Sequence, residues 1–158
     1  MERCNTESIG RYISHFFRVG VSYLGKEYKK LNIGAGQYQF LLQLYFKNGL
    51  SHDELTEKMS VDKATTTRAI AKLEQEGYVR KILNAQDKRK YNIFLTDYAI
   101  DRKEEIINIA KKWEERLTGS LSKEEQDQLL ELFRKITRNN FDIRFDDEEL
   151  ICDVEKFK

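Results

Sequence analysis

"LSHDELTEKMSVDKATTTRAIAKLEQEGYVRKILNAQDKRKYNIFLT", Leu50 to Thr96, decides the fold of this chain because its hydrophobic period changes partway along. "SHDELTEKM" opens with a capping box, in which Ser51 can accept from the backbone of Glu54 while Glu54 reaches back. Leu55 and Met59, four apart, give that short helix one apolar stripe. "SVD" interrupts, and Asp62 is a good N-cap for a second helix running towards Glu76, where Gly77 ends it. Beyond Gly77 the period becomes two: Tyr91, Ile93 and Leu95 alternate with Lys90, Asn92 and Phe94, as in a strand with one buried face. The whole reads as a helix-turn-helix followed by a β-hairpin. The hairpin tip, Asn84 to Lys90, is polar and has nothing of its own to pack on.

With Ile70 at the centre of the inner face of the second helix, the helical wheel sets Thr66, Leu73 and Gly77 beside it. The same wheel turns Thr65, Arg68 and Lys72 outward, with Ala64 at the margin and Thr67 nearer the inside. Small residues near a helix start let it descend into a major groove, where threonine and arginine can read base edges. A Thr-rich start is also plain capping chemistry, so the helix alone does not decide the matter. Charge adds to it. From Val61 to Lys90, Lys63, Arg68, Lys72, Arg80, Lys81, Lys88, Arg89 and Lys90 stand against Asp62, Glu74, Glu76 and Asp87, a local net of +4 in a chain whose total is +1. Positive charge is thus concentrated on the helix-turn-helix and hairpin, as neutralisation of phosphates requires.

Outside this segment the texture is helical. Ile9, Ile13, Phe16, Gly20, Leu24, Tyr28 and Leu31 hold one face of a long first helix, which Gly34 and Gly36 are expected to end. A helix with Tyr38, Leu41, Leu42 and Tyr45 inside follows, with Gly49 as its C-terminal cap. After Thr96 a continuous helix is expected from Asp97 to Leu117, with Ile106, Ala110, Trp113 and Leu117 in register. Ser122 and Glu125 form a second capping box, ahead of a sixth helix striped by Leu129, Leu132, Phe133 and Ile136. The tail from Phe141 is acidic. The expected fold is therefore mainly α with a small β-hairpin wing, six helices in all.

Several functions are disfavoured by what is missing. No apolar run is long enough for a membrane span and no signal-peptide pattern opens the chain, so the expected compartment is the cytoplasm and no membrane partner is expected. Cys4 and Cys152, with His15 and His52, form neither a disulfide framework nor a metal cluster of standard spacing. No nucleophile elbow or phosphate-binding glycine loop appears, so an enzyme, a metal site and a cofactor are not expected.

The segment quoted above, extended through "DYA", resembles the winged helix-turn-helix core of the MarR family of bacterial transcriptional regulators. The likeness rests on the helix ending in "LEQEGYV", the Asp-x-Arg element at Asp87 and Arg89, and the "LT" at Leu95 and Thr96 that closes the wing. Ala99 stands where that family usually has glycine. The resemblance implies a homodimer, most simply a repressor, bound to a pseudo-palindromic double-stranded operator. It implies the recognition helix in the major groove and the wing in the flanking minor groove. Arg89 then matches the wing-tip arginine, Asp87 the acid that orients it, and Thr67 with Arg68 the polar-plus-arginine pair of the recognition helix.

The expected DNA-binding residues are Lys63, Ala64, Thr65, Thr67, Arg68, Lys72, Asp87, Lys88, Arg89 and Lys90. Residues 1–34 would form an N-terminal dimerisation helix, 35–98 the DNA-binding lobe, and 99–158 the C-terminal dimerisation helices and tail. Ile9, Ile13, Leu129, Phe133 and Ile136 are the expected dimer contacts. Regulators resembling this one often bind small aromatic ligands, for which Tyr12, Phe16, Tyr38 and Tyr45 are candidates, although aromatic stripes commonly just pack. A thiol-based redox response through Cys4 and Cys152, and a winged helix used only for protein contacts, are the alternatives.

Overall fold

The computed structural model describes residues 8–140, so Cys4, Cys152 and the acidic tail lie outside the described residues. Seven helices and three strands follow in the order α1 (Ile9–Lys29), α2 (Tyr38–Phe46), β1 (Leu50–Ser51), α3 (His52–Lys58), α4 (Lys63–Gln75), β2 (Val79–Leu83), β3 (Tyr91–Leu95), α5 (Asp97–Asp101), α6 (Lys103–Thr118) and α7 (Lys123–Asn140). The fold is mainly helical with a small antiparallel sheet of order β1-β3-β2.

Both capping boxes form. Ser51 Oγ accepts from Glu54 N–H and Glu54 Oε2 from Ser51 N–H, and the same exchange joins Ser122 and Glu125 at the start of α7. Asp62 caps α4 by accepting from the Thr65 N–H at 2.7 Å. Gly77 ends α4 with φ +80, a left-handed value that favours glycine.

Five details differ from the sequence reading. Asn32, in the left-handed region at φ 57, follows the end of α1, ahead of Gly34 and Gly36; asparagine tolerates that conformation better than most residues. On α2 the fully buried residues are Phe40, Leu41 and Leu44, with Leu42 and Tyr45 packed at the margin. Gly49 does not cap α2, whose C-cap is Lys47. Instead it turns the chain into β1 with φ +83, and its N–H donates to Ile93 O at 3.0 Å. β1 itself is a third strand too short to show periodicity, pairing Leu50 with Ile93 and Ser51 with Asn92. Finally, the helix expected from Asp97 to Leu117 breaks at Arg102 into α5 and α6. The break lets α5 bury Ala99 beneath the lobe while α6 turns Ile106 and Ile107 inward.

The core joins α1, α2, α3, α4, the sheet and α6 through Leu24, Phe40, Leu55, Ile70, Leu73, Ile93 and Ile106, among others. Along the α1–α6 seam Gly20 lies against Trp113, where an added Cβ would come within 2.9 Å of the indole. The Trp113 ring also stacks on Tyr23 at 5.8 Å. Three tyrosine hydroxyls tie distant elements together: Tyr28 donates to Ile106 O at 3.0 Å, Tyr45 to Ala99 O at 2.6 Å and Tyr78 to Leu31 O at 2.7 Å. Burial raises the pKa of Tyr45 and Tyr78 far above the ordinary phenol value. Both therefore remain neutral donors at any pH the fold meets.

The two ends of the described chain behave differently. The outer half of α1 exposes Ile9, Ile13, Phe16 and Phe17, and α7 exposes Leu129, Leu132, Phe133 and Ile136. Among the described residues no helix is long and apolar enough to cross a membrane.

Gly49 offers a direct test of the turn into β1. A Cβ there would sit 2.7 Å from the Phe94 ring, on a backbone that L side chains rarely adopt. Gly49→Ala should lower stability by roughly 1–3 kcal/mol, read as an earlier urea midpoint with unchanged m-value.

Candidate nucleic-acid interface

α3, α4 and the β2–β3 wing make one continuous face. Between α3 and α4 the chain passes through Ser60 at φ 50, a left-handed position that reverses it sharply. The Thr56 and Thr66 hydroxyls, 2.9 Å apart, pin the two helices together from inside. Thr66 is fully buried.

The buried residues of α4 are Thr66, Ala69, Ile70 and Leu73. Their centre lies about 50° from Ile70, half the ~100° step between neighbouring residues. That rotation changes the recognition face. Lys63, Ala64, Thr67, Arg68 and Ala71 are exposed, whereas Thr65 and Lys72 are half-buried at its edge. Thr65 serves the cap: its Oγ1 donates to Asp62 Oδ2 at 3.0 Å and accepts from the Arg68 guanidinium at 3.1 Å. The Thr65 bonds in turn hold the Asp62 carboxyl below the usual carboxylate range. Lys72 turns back to Glu76 at 2.6 Å. Thr67 is thus on the face and not near the inside; a wheel centred on Ile70 turns it inward because that centre leaves Ala69 out of the core.

Thr67 is also held from two sides. Its hydroxyl donates to Lys63 O at 2.8 Å and lies 3.0 Å from His52 Nε2. One hydroxyl carries one proton, so His52 is the donor in the second bond. This histidine, which fits no metal-cluster spacing in the sequence, holds an exposed side chain of α4 from the neighbouring helix.

The wing is shaped by two asparagines. Asn84 Oδ1 accepts from the backbone N–H of Gln86 and Asp87 at 2.9 and 3.1 Å. Its amide donates to Asn92 Oδ1 at 3.0 Å, and Asn92 donates in turn to Gly49 O at 2.8 Å. The tip is therefore built onto β1. Asp87 Oδ1 accepts the backbone N–H of Arg89 at 3.0 Å. That bond is to the main chain of Arg89; no ion pair joins the two side chains among the described residues. Lys88 and Arg89 are exposed at the tip. Tyr91, expected on the buried face of β3, is 48% exposed because the strand leaves the core there, while Ile93 and Leu95 are buried.

A cleft of about 340 Å³ separates recognition helix from wing, lined by His52, Asp53, Thr67, Arg89, Lys90 and Tyr91 among others. The remaining candidates fall elsewhere. Tyr38 stacks on Tyr28 at 4.6 Å and Tyr45 bonds to α5, whereas Tyr12 and Phe16 form a tilted pair on the exposed face of α1. Among the described residues no cluster of His, Cys, Asp and Glu could hold a metal ion.

A family model described as the MarR family matches residues 33–91. The chain is 31% identical over 124 residues to the HTH-type transcriptional regulator BilQ of Clostridioides difficile (strain CD3), covering 78% of this chain and 84% of that one. The crystal structure of a MarR transcriptional regulator from Methanosarcina mazei Go1 superposes with a TM-score of 0.78 at 34% identity, covering 83% of this chain and 94% of that one. A Listeria monocytogenes protein whose crystal structure contains a 26mer DNA superposes with a TM-score of 0.78 at 25% identity, over 85% of this chain and 89% of that one.

Asn84 is the test of how the tip is held. In Asn84→Ala the N–H groups of Gln86 and Asp87 should lose hydrogen-exchange protection while those of α4 keep theirs. Equal protection in both proteins would show that the tip does not depend on this side chain.

Proposed function

This chain belongs to the MarR family of transcriptional regulators, and from that premise we propose a homodimeric repressor that grips double-stranded DNA through two copies of the α3–α4–wing face. The observation that carries the reading is the pairing of a small, arginine-bearing helix face with a basic wing tip on one rigid unit. Ala64 and Ala71 let α4 approach base edges closely, Thr67 presents a fixed polar group, and Arg68 can fork onto guanine. Arg89, at the tip, suits the narrower groove alongside, where a guanidinium meets enhanced negative potential.

Dimerisation is supported by the apolar surfaces at the two ends. Ile9, Ile13, Phe16 and Phe17 on α1, with Leu129, Leu132, Phe133 and Ile136 on α7, leave large apolar side chains exposed at both ends of the described chain, the kind of surface that a partner covers. Two-fold symmetry then sets half-sites about one helical turn apart. A dimer covering both grooves over that length blocks other proteins from the same DNA, which is the basis for proposing repression. Of the four aromatic ligand candidates, Tyr12 and Phe16 lie on the α1 face that a partner would cover, so a small aromatic ligand acting at the dimer would meet these two.

Selection of preferred duplexes from a random pool tests the reading. Recovery of paired, inverted half-sites supports it; a pool with no enriched site overturns it. On the selected duplex Arg68→Ala should cost roughly 1–3 kcal/mol and relax base preference at one position of each half-site. Arg89→Ala should weaken binding to all duplexes and reduce the salt slope by about one. Asp87→Ala should also weaken binding, although it removes a negative charge near phosphate, because Arg89 loses its backbone anchor. Replacing Phe133 by Glu should yield monomers by sedimentation and abolish high-affinity binding.

A further inference from the structure

Asp53, the second residue of α3, reaches both DNA-facing elements at once. Its Oδ1 lies 3.0 Å from Lys63 Nζ on the first residue of α4, and its Oδ2 lies 3.7 Å from Lys90 Nζ, where the wing tip joins β3. All three side chains are at least half exposed. The hydrogen bond and charge of Lys63, with the charge of Lys90 added, hold the Asp53 carboxyl below its usual range, so it is ionised at neutral pH.

The location gives the contact its meaning. With α4 in a major groove and the wing in the minor groove beside it, one sugar–phosphate strand must cross the gap between them. Lys63 and Lys90 flank that gap, and Asp53 lines the cleft within it. The anion that already bridges the two ammonium groups is a protein carboxylate, in the place where a backbone phosphate would do the same.

We infer that Asp53 is an internal competitor for phosphate that sets the strength and salt dependence of DNA binding. The inference rests on the DNA-binding reading above. With Asp53 in place, two lysines and one acid present a net single charge to the strand; without it they present two. Sequence-independent affinity comes from such phosphate contacts, so the acid restrains binding to any duplex. Exposed ion pairs of this kind add little to folding, so the acid can be removed with the fold intact.

The test is a fluorescence-anisotropy titration of the full chain against a mixed-sequence DNA duplex over a series of salt concentrations. Asp53→Asn should bind roughly three- to tenfold tighter at low salt, with a salt slope steeper by about 0.9. Glu57→Gln, one turn further along α3 and paired with neither lysine, makes the same charge change and should give a smaller effect. In a Lys63→Ala/Lys90→Ala background the gain from Asp53→Asn should shrink to that of Glu57→Gln. Equal gains from Asp53→Asn and Glu57→Gln in the wild-type background would reduce the effect to net charge and overturn the competitor role. Weaker binding by Asp53→Asn would overturn it too, in favour of a purely positioning role. If the wild-type chain binds duplex normally and Asp53→Asn is unchanged, only the competitor role falls. Failure of the wild-type chain to bind at all would strike the DNA-binding reading first.

Discussion

A phenol hydroxyl buried in an apolar core must find an acceptor, since leaving it unpaired costs about 1–3 kcal/mol. The fully buried Tyr28 and Tyr78, with the half-buried Tyr45, meet that demand with backbone carbonyls far away in sequence, and the frame follows from their choices. Tyr28 ties the end of α1 to α6, Tyr45 ties α2 to α5, and Tyr78, at the entry to β2, ties the lobe to the turn after α1. Each bond fixes a distance and a direction, which apolar contact alone does not. Without them α1 and α6 could slide along the Gly20–Trp113 seam, and the lobe could rotate on the helices that carry the outer apolar faces. In a two-fold assembly that rotation would change the spacing of the two α4 helices.

The lobe uses the same economy with asparagine. Asn48 accepts from Leu95 N–H, Asn92 donates to Gly49 O, and Asn84 joins Asn92 to the tip. A chain of side-chain amides thus runs from the end of α2 through the sheet to the wing. The wing is consequently part of a three-stranded unit and not a free hairpin, which an isolated pair of strands could not sustain in water. In the proposed binding mode rigidity at the tip matters, because an arginine entering a groove gains most when its backbone is already in place.

What was legible in the sequence was local chemistry. Ser51, Asp62 and Ser122 cap helices through atoms three residues away, so a pattern of three or four letters contains the whole interaction. The second wing strand was readable for the same reason, from the alternation that buries Ile93 and Leu95, although Tyr91 in the same series is exposed. Tertiary context hid the rest. Ala69 is apolar but small, and only the packing of α4 against the core shows it facing inward and Thr67 outward. β1 has two residues, too few for any period, and exists because β3 offers it an edge. Arg102 breaks a helix that nothing in its propensity would break, because Ala99 and Ile106 must both be buried. Asp53 carries no motif at all. Its partners are ten and thirty-seven residues away, brought to it by the helix turn and by the wing.

Net charge near zero is a poor guide to the DNA face for a related reason. Of the eight basic residues between Val61 and Lys90, four are held by acids of the same lobe: Lys63 and Lys90 by Asp53, Lys72 by Glu76, and Lys81 by Glu74. Arg68, Arg80, Lys88 and Arg89 make no ion pair with a described residue. The division follows chemistry as well as place, for three of the four unpaired groups are arginines, the side chain best shaped to fork onto guanine or enter a narrow groove. The lysines, which serve as point charges for phosphate, are the ones partly neutralised within the protein. If the face binds DNA as proposed, it keeps its arginines available for the grooves and tempers the lysines that would bind any backbone, which would limit affinity for non-operator DNA where it arises.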